Sequence, residues 1–173
     1  LLGVAQDIYS IIENIPFQSI GAEFHLYGGG NQAEKIKEYI NKHPGCFVYY
    51  HGYVKKEQIA EELSRYDASI VPLTVAIKGA VPSKIYDLIP IGIPILFCGG
   101  GEGAEIVSKY YFGMVSKPHD FKQLHNNIIE LINLPDEEYS TISKNCLDMA
   151  KNEFDFNKQI LSLIHISEPT RRS

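Results

Sequence analysis

The stretch VPSKIYDLIPIGIPILFCGGGEGAEIV, residues 81–107, carries three structural signals in succession. Pro82 suits the first turn of a helix, where its missing N–H costs nothing, and that helix is expected to run to about Ile89. Residues 93–98 form an apolar run with no polar alternation, as expected of a strand buried on both faces. Gly99, Gly100 and Gly101 then turn the chain into a second helix at about 102–110. Helix, buried strand, glycine turn and helix is the rhythm of a parallel sheet with helices packed on it.

The same rhythm extends in both directions. Upstream, Ile8, Ile11, Ile12 and Ile15 recur at helical spacing and present one apolar face, and Pro16 ends that helix. A strand is expected at 22–27, entering the triple glycine Gly28-Gly29-Gly30, with Asn31 placed to cap the next helix. A strand at 46–52 follows, then a helix at 55–66 with Ile59, Leu63 and Tyr66 on one side, then a short buried strand at 68–72 and a loop at 73–81. Downstream, 112–116 reads as the last strand, and 120–131 and 136–154 read as helices. Strands alternate with helices and there is no hairpin signal. The fold class expected is α/β, a doubly wound Rossmann-like parallel sheet, in one domain over residues 1–160.

Composition excludes several classes of function. The chain has 173 residues, of which 45% are hydrophobic, enough for a packed core. A formal net charge of -5 argues against a nucleic-acid-binding surface, which needs clustered positive charge. The most apolar run, 88–98, is interrupted by Pro90, Gly92 and Pro94 and falls short of the ~20 apolar residues of a membrane span. Cys46, Cys98 and Cys146 lie far apart with no paired spacing, which excludes a disulfide framework or cysteine zinc site and suggests a reducing compartment.

In open parallel sheets, ligands bind beyond the carboxyl ends of the strands, where strand order reverses. Three junctions there are rich in small residues: 27–31, 81–84 and 98–103. Gly99, Gly101 and Ala104 fit a G-x-G-x-x-A spacing, but late in the chain and without the following acid of a dinucleotide site. Phosphate-loop, nucleophile-elbow and zinc-helix motifs are absent. Lys84 stands out because a cation at a helix start opposes the helix dipole unless an anion is bound. Asp87, three residues on, is placed to accept hydrogen bonds from sugar hydroxyls. The histidines are dispersed, none with metal-ligand spacing, and read as structural. His51, ending a strand at the ligand edge, is the exception to watch.

Residues 81–107 resemble the donor-binding half of a GT-B glycosyltransferase, most similar to the large retaining family 4 in its branch of cell-surface polysaccharide assembly. That branch carries a P-S-K segment, a glycine turn and a G-x-E-I/V motif. The resemblance extends to Gly3-Val4-Ala5-Gln6-Asp7, to HLYGGGNQAEKIK and to YYHGYVKKEQIAEELSRYDASIVPL. It implies transfer of a sugar from a nucleotide diphosphate sugar to a glycan or lipid-linked acceptor. By position, Ser83 and Lys84 would meet the diphosphate, Pro82 would belong to the same donor-binding set, and Asp87 would hold the ribose. His51, Gly52, Tyr53 and Val54 would wall the base, and Gly28 and Gly29 would let their loop pass close to the donor. Lys84 and Asp87 would be the catalytic pair. No metal or other cofactor is implied, since the protein's own cations and dipoles can serve the leaving group. Of the two spaced glutamates of the wider family, the second is Asp87 here and the first falls on Gly79. Two other readings remain: a non-catalytic nucleotide-binding or partner module, and half of a nucleotide-sugar epimerase.

The family's first strand and its N-terminal acceptor domain are expected to lie upstream, so the fragment alone should be inactive. Residues 161–173 read as a non-native tail, because 161–171 resemble a translated transposase-type sequencing adapter. For the whole enzyme the resemblance implies a cytoplasmic location, with peripheral contact at the inner face of the membrane.

Overall fold

A computed structural model describes residues 7–75 and 81–152. Five strands are present: β1 (Phe24–Tyr27), β2 (Val48–Gly52), β3 (Ser69–Pro72), β4 (Ile95–Cys98) and β5 (Gly113–Ser116). The helices are α1 (Ile8–Asn14), α2 (Ala33–Lys42), α3 (Ile59–Leu63), α4 (Ser83–Leu88), α5 (Glu102–Lys109), α6 (Phe121–Ile132) and α7 (Asp136–Lys151). Every strand pairing is parallel, and the fold is the Rossmann-like α/β class expected. The strands form two ladders rather than one continuous sheet: β1 with β2, and β3-β4-β5 with β4 in the centre.

Alternation along the strands assigns side chains to two cores. Leu96 and Cys98 of β4 join Ile8, Ile11, Ile12 and Ile36 on the side of α1, α2 and α6. Ile95 and Phe97, their immediate neighbours, face the opposite way onto Ile85, Ile106, Val107 and Cys146 of α4, α5 and α7. The first core also takes Phe24, Leu26 and Val48 from β1 and β2, so it runs beneath both ladders. The crossover helix α2 thus lies on one face and the crossover helices α4 and α5 on the other. Right-handed crossovers on opposite faces require the chain to progress in opposite directions. The reversal falls between β1 and β3, which defines the switch point of a doubly wound sheet.

Several local expectations are corrected. Asn31 does not cap α2: Gln32 occupies that position, and no side chain caps the helix there. The Gln32 amide reaches sideways instead, accepting from the Tyr9 backbone N–H at 3.3 Å and donating to Asp7 Oδ1 at 3.3 Å. The helix expected over 55–66 splits into a 3-10 turn, Lys56–Gln58, and the short α3. Ile59 is 40% exposed, not turned inward with Leu63 and Tyr66. Pro82 precedes α4 as its N-cap, not within its first turn. Pro90 narrows the end of α4 into a 3-10 turn, Ile89–Ile91, since a proline nitrogen has no hydrogen to donate along the helix. The turn closes at Gly92, whose φ of 78° and contact with Leu147 of α7 leave no room for a side chain. The expectations for residues 1–6, Gly79 and the tail at 161–173 lie outside the described residues.

Candidate nucleotide site

Because every strand pairing is parallel, the strand-to-helix loops of each ladder emerge at one edge of that ladder. The loops after β1 and β2 are tied together. The Gly28 N–H donates to the Gly52 carbonyl at 2.6 Å, and the Tyr50 hydroxyl donates to the Gly28 carbonyl at 2.7 Å. Gly28 and Gly52 both have positive φ, 115° and 74°. Tyr53, 84% exposed, lays its ring across Gly29, where any side chain would overlap the phenol. Val54 beside it is half-buried. The contacts bring Gly28, Gly29, Gly52 and Tyr53 together, with Val54 next in the chain, in one loop pair.

The starts of α4 and α5 are packed against each other. Gly103 in the first turn of α5 packs directly on Phe97 and on Pro82, with no space for a Cβ. Gly99 has the same relation to the Phe97 ring and the Leu73 carbonyl. Phe97, fully buried, is thus the post against which the two helix starts are set. This packing places Ser83, exposed, and Lys84, half-buried, at the carboxyl edge. Burial lowers the Lys84 ammonium from its ordinary value, and the charge of Asp87 counters this only in part. Among the described residues Lys84 closes no ion pair with a carboxylate, Asp87 included. Asp87 is itself exposed on α4.

His51 departs from its expected place. Its ring lies on the face of the β1–β2 ladder that turns away from the α1 core, stacked on Tyr27 at 4.6 Å and on His25 at 5.1 Å. His25 Nδ1 and His51 Nε2 are 2.9 Å apart, within hydrogen-bond distance. The histidines that read as dispersed in sequence include this paired cluster. The signal was available: side chains two apart share a strand face, so His25 and Tyr27 on β1, and Tyr49 and His51 on β2, meet once the strands pair in parallel.

A further feature at the edge escaped the sequence reading. Asp7, at the start of α1, faces His119 across a separation of 3.7 Å between Oδ2 and Nδ1. Both residues have positive φ, 42° and 59°. Burial pushes the Asp7 carboxyl up, but hydrogen bonds from Ser10 and Gln32 outweigh it and hold it below its ordinary value. Beneath them, between Cys98 and Ser116, is a cavity of about 20 Å³, room for a single water molecule. No metal-binding group of three or more His, Cys, Asp or Glu side chains occurs among the described residues.

A family model described as "Glycosyl transferases group 1" matches residues 4–134. The chain belongs to this family. Among curated protein sequences, none matches it. Solved structures share its fold. Anabaena Alr3699/HepE in complex with UDP-glucose superposes with a TM-score of 0.69 at 19% identity, covering 94% of this chain and 46% of that one. A mutant of S. aureus TarM in complex with Fondaparinux, alpha-GlcNAc-glycerol and UDP gives 0.67 at 16% identity, covering 92% and 33%. The pneumococcal O-GlcNAc transferase GtfA in complex with UDP and GlcNAc gives 0.61 at 15% identity, covering 91% and 32%. This chain thus spans less than half the length of these structures. The loops after β1 and β2 and the starts of α4 and α5 fall inside the matched region, whereas α7 lies beyond it. No described helix of this family member is long and apolar enough to cross a membrane.

Proposed function

We propose that this chain is the nucleotide-sugar donor-binding half of a retaining glycosyltransferase that moves a sugar to a glycan or lipid-linked acceptor. The observation that carries this reading is Lys84: a half-buried ammonium at the carboxyl edge of the sheet, without a carboxylate in ion-pair contact among the described residues. A cation withdrawn from water is costly unless an anion meets it. A diphosphate supplies that anion, and the family match and the UDP-bound relatives of this fold support the choice.

In this reading Ser83 and Lys84 hold the diphosphate, and Asp87 takes ribose hydroxyls. The loop walls at Gly28-Gly29 and Gly52-Tyr53-Val54 face the base, with His51 acting on them from the sheet behind. As the sugar departs, negative charge grows on the leaving diphosphate. A preplaced ammonium stabilises that charge without reorganising, which is the most effective electrostatic contribution a site can make. Neither metal nor organic cofactor is needed for that step. The acceptor is held by a second domain outside this chain, so the chain alone binds donor without turning it over. The whole enzyme works on the cytoplasmic side, at the inner face of the membrane.

Calorimetric titration of the chain with UDP, GDP and ADP tests the proposal. Binding of at least one of them, weakened about tenfold or more in Lys84→Ala, is the expected result, since hydrogen bonds to charged groups contribute about 1.5–3 kcal/mol. A folded chain that binds none of the three overturns it.

A further inference from the structure

The face of the β1–β2 ladder that turns away from the α1 core carries a column of rings. Tyr49 stacks on His25 at 4.8 Å, His25 on His51 at 5.1 Å, and His51 on Tyr27 at 4.6 Å. Tyr66, following α3, tilts against His25 from the other side at 4.9 Å. The groups facing the histidine pair can be named from every element around it. Glu23, just before β1, reaches His25 Nε2 at 3.1 Å. Tyr27 on β1 bonds the Tyr66 hydroxyl and lies 3.5 Å from Glu62 Oε2 on α3. Arg65 holds Glu62 and Glu61 from the solvent side, both at 3.3 Å.

The hydrogen bonds fix the tautomers. Glu23 accepts, so His25 Nε2 carries a hydrogen. In the uncharged pair His25 Nδ1 is then the acceptor, and His51 Nε2–H donates to it. One added proton takes the free Nδ1 of His51 and leaves the bond in place, because the imidazolium Nε2–H still donates to the neutral His25 ring. A second added proton leaves two N–H groups pointing at each other across 2.9 Å and two like charges in contact. Burial and then the neighbouring His25 lower the His51 value, with Glu62 acting in the opposite direction.

The pair is also mechanically joined to the loops. His51 immediately precedes Gly52, whose carbonyl holds the Gly28 N–H, and Tyr53 lies over Gly29. We propose that the His25–His51 pair is a proton-operated clasp: closed, it holds the Gly28–Gly29 and Gly52–Tyr53 loops in the arrangement that receives the nucleotide, and a second proton opens it. This proposal rests on the reading of those loops as walls of the donor site. Its direct consequence is donor binding that weakens in mildly acidic conditions through a group that does not touch the donor.

Two measurements on the intact chain test it. In the first, ring signals of His25 and His51 and amide signals of Gly28, Gly29 and Gly52 are followed by NMR from about pH 8 to about pH 5, the range over which histidines change charge. The glycine amides should move with the second protonation of the pair and stay still in His25→Gln, which cannot take a charge. Glycine amides that ignore the pair overturn the clasp, whether or not any nucleotide binds. In the second, UDP affinity is compared at about pH 7.5 and about pH 5.5, with a loss of about fivefold or more expected in the native chain, the lower end of ordinary coupling between sites. The phosphates' own titration is common to native and His25→Gln chains, so the clasp predicts a clearly smaller loss in His25→Gln. Equal losses overturn it. Absence of UDP binding at either pH sinks the donor reading instead, and the NMR result alone then decides the clasp.

Discussion

The ring of Tyr53 occupies the space that a side chain on Gly29 would need. The overlap is with the far end of an exposed side chain, and the φ of Gly29 is not among the positive values. Gly29→Ala should therefore fold almost normally, with a stability change below about 1 kcal/mol, because Tyr53 can swing aside. Gly113 is the contrast. Its φ is 153° and its missing Cβ would run into the backbone of Ile95 on the neighbouring strand. Gly113→Ala should lose more than about 3 kcal/mol, or fail to fold, because two paired strands of the central ladder must separate to admit it. Chemical denaturation of the two variants measures both. If Gly29→Ala is as damaging as Gly113→Ala, the Tyr53 contact is rigid, and the loop pair is a structural lock rather than an adjustable wall.

How much of this was legible in the sequence depends on the range of the interaction. The isoleucines at 8, 11, 12 and 15 announced α1, and all four are buried, since one helix face is a local periodicity. The apolar run at 93–98 announced β4, buried along its whole length. The P-S-K and glycine-turn segment announced the starts of α4 and α5. What could not be read were cross-strand relations. His25 and His51 are separated by 26 positions and meet only because β1 and β2 pair in one particular register. Asn31 had the better capping chemistry, yet Gln32 sits at the cap, its side chain drawn to Asp7 and Tyr9 on a different helix. The division into two ladders was equally invisible, because strand count and order do not reveal which edges bond.

The thiols should respond unequally to alkylation. Burial pushes Cys98 up to about 11, with the neighbouring Ser116 hydroxyl acting the other way, and burial pushes Cys146 up to about 12. A thiol reacts as its thiolate, so both are protected by protonation as well as by inaccessibility. Cys46, half-buried before β2, is the accessible member of the three. Iodoacetamide at about pH 8 should give a single adduct at Cys46 in the native chain and three after denaturation, as mass spectrometry can count. Native labelling at Cys98 would show that the carboxyl edge of β4 opens on the time scale of the reaction.

Lys84 should serve binding at the expense of stability. Its folded value lies below the ordinary 10.5, with burial as the larger cause. The unfolded chain then holds more protons than the folded chain between the lowered value and 10.5, so stability rises with pH across that window. Below the window the full cost of burying the charge is present. Lys84→Met keeps most of the side-chain volume and removes the charge, so it should be more stable than the native chain by about 1 kcal/mol near pH 8. That advantage should shrink as pH rises towards 10.5, where the native ammonium has been neutralised. Saturating nucleoside diphosphate reverses the order. A ligand at a hundred times its Kd stabilises by about 2.7 kcal/mol, whereas a site weakened tenfold gains only about 1.4 kcal/mol at the same concentration. Thermal melts of both chains, with and without UDP, give the four quantities needed. A Lys84→Met chain that is less stable without nucleotide, or equally protected with it, would mean that the ammonium is satisfied within the fold and is not held ready for a phosphate.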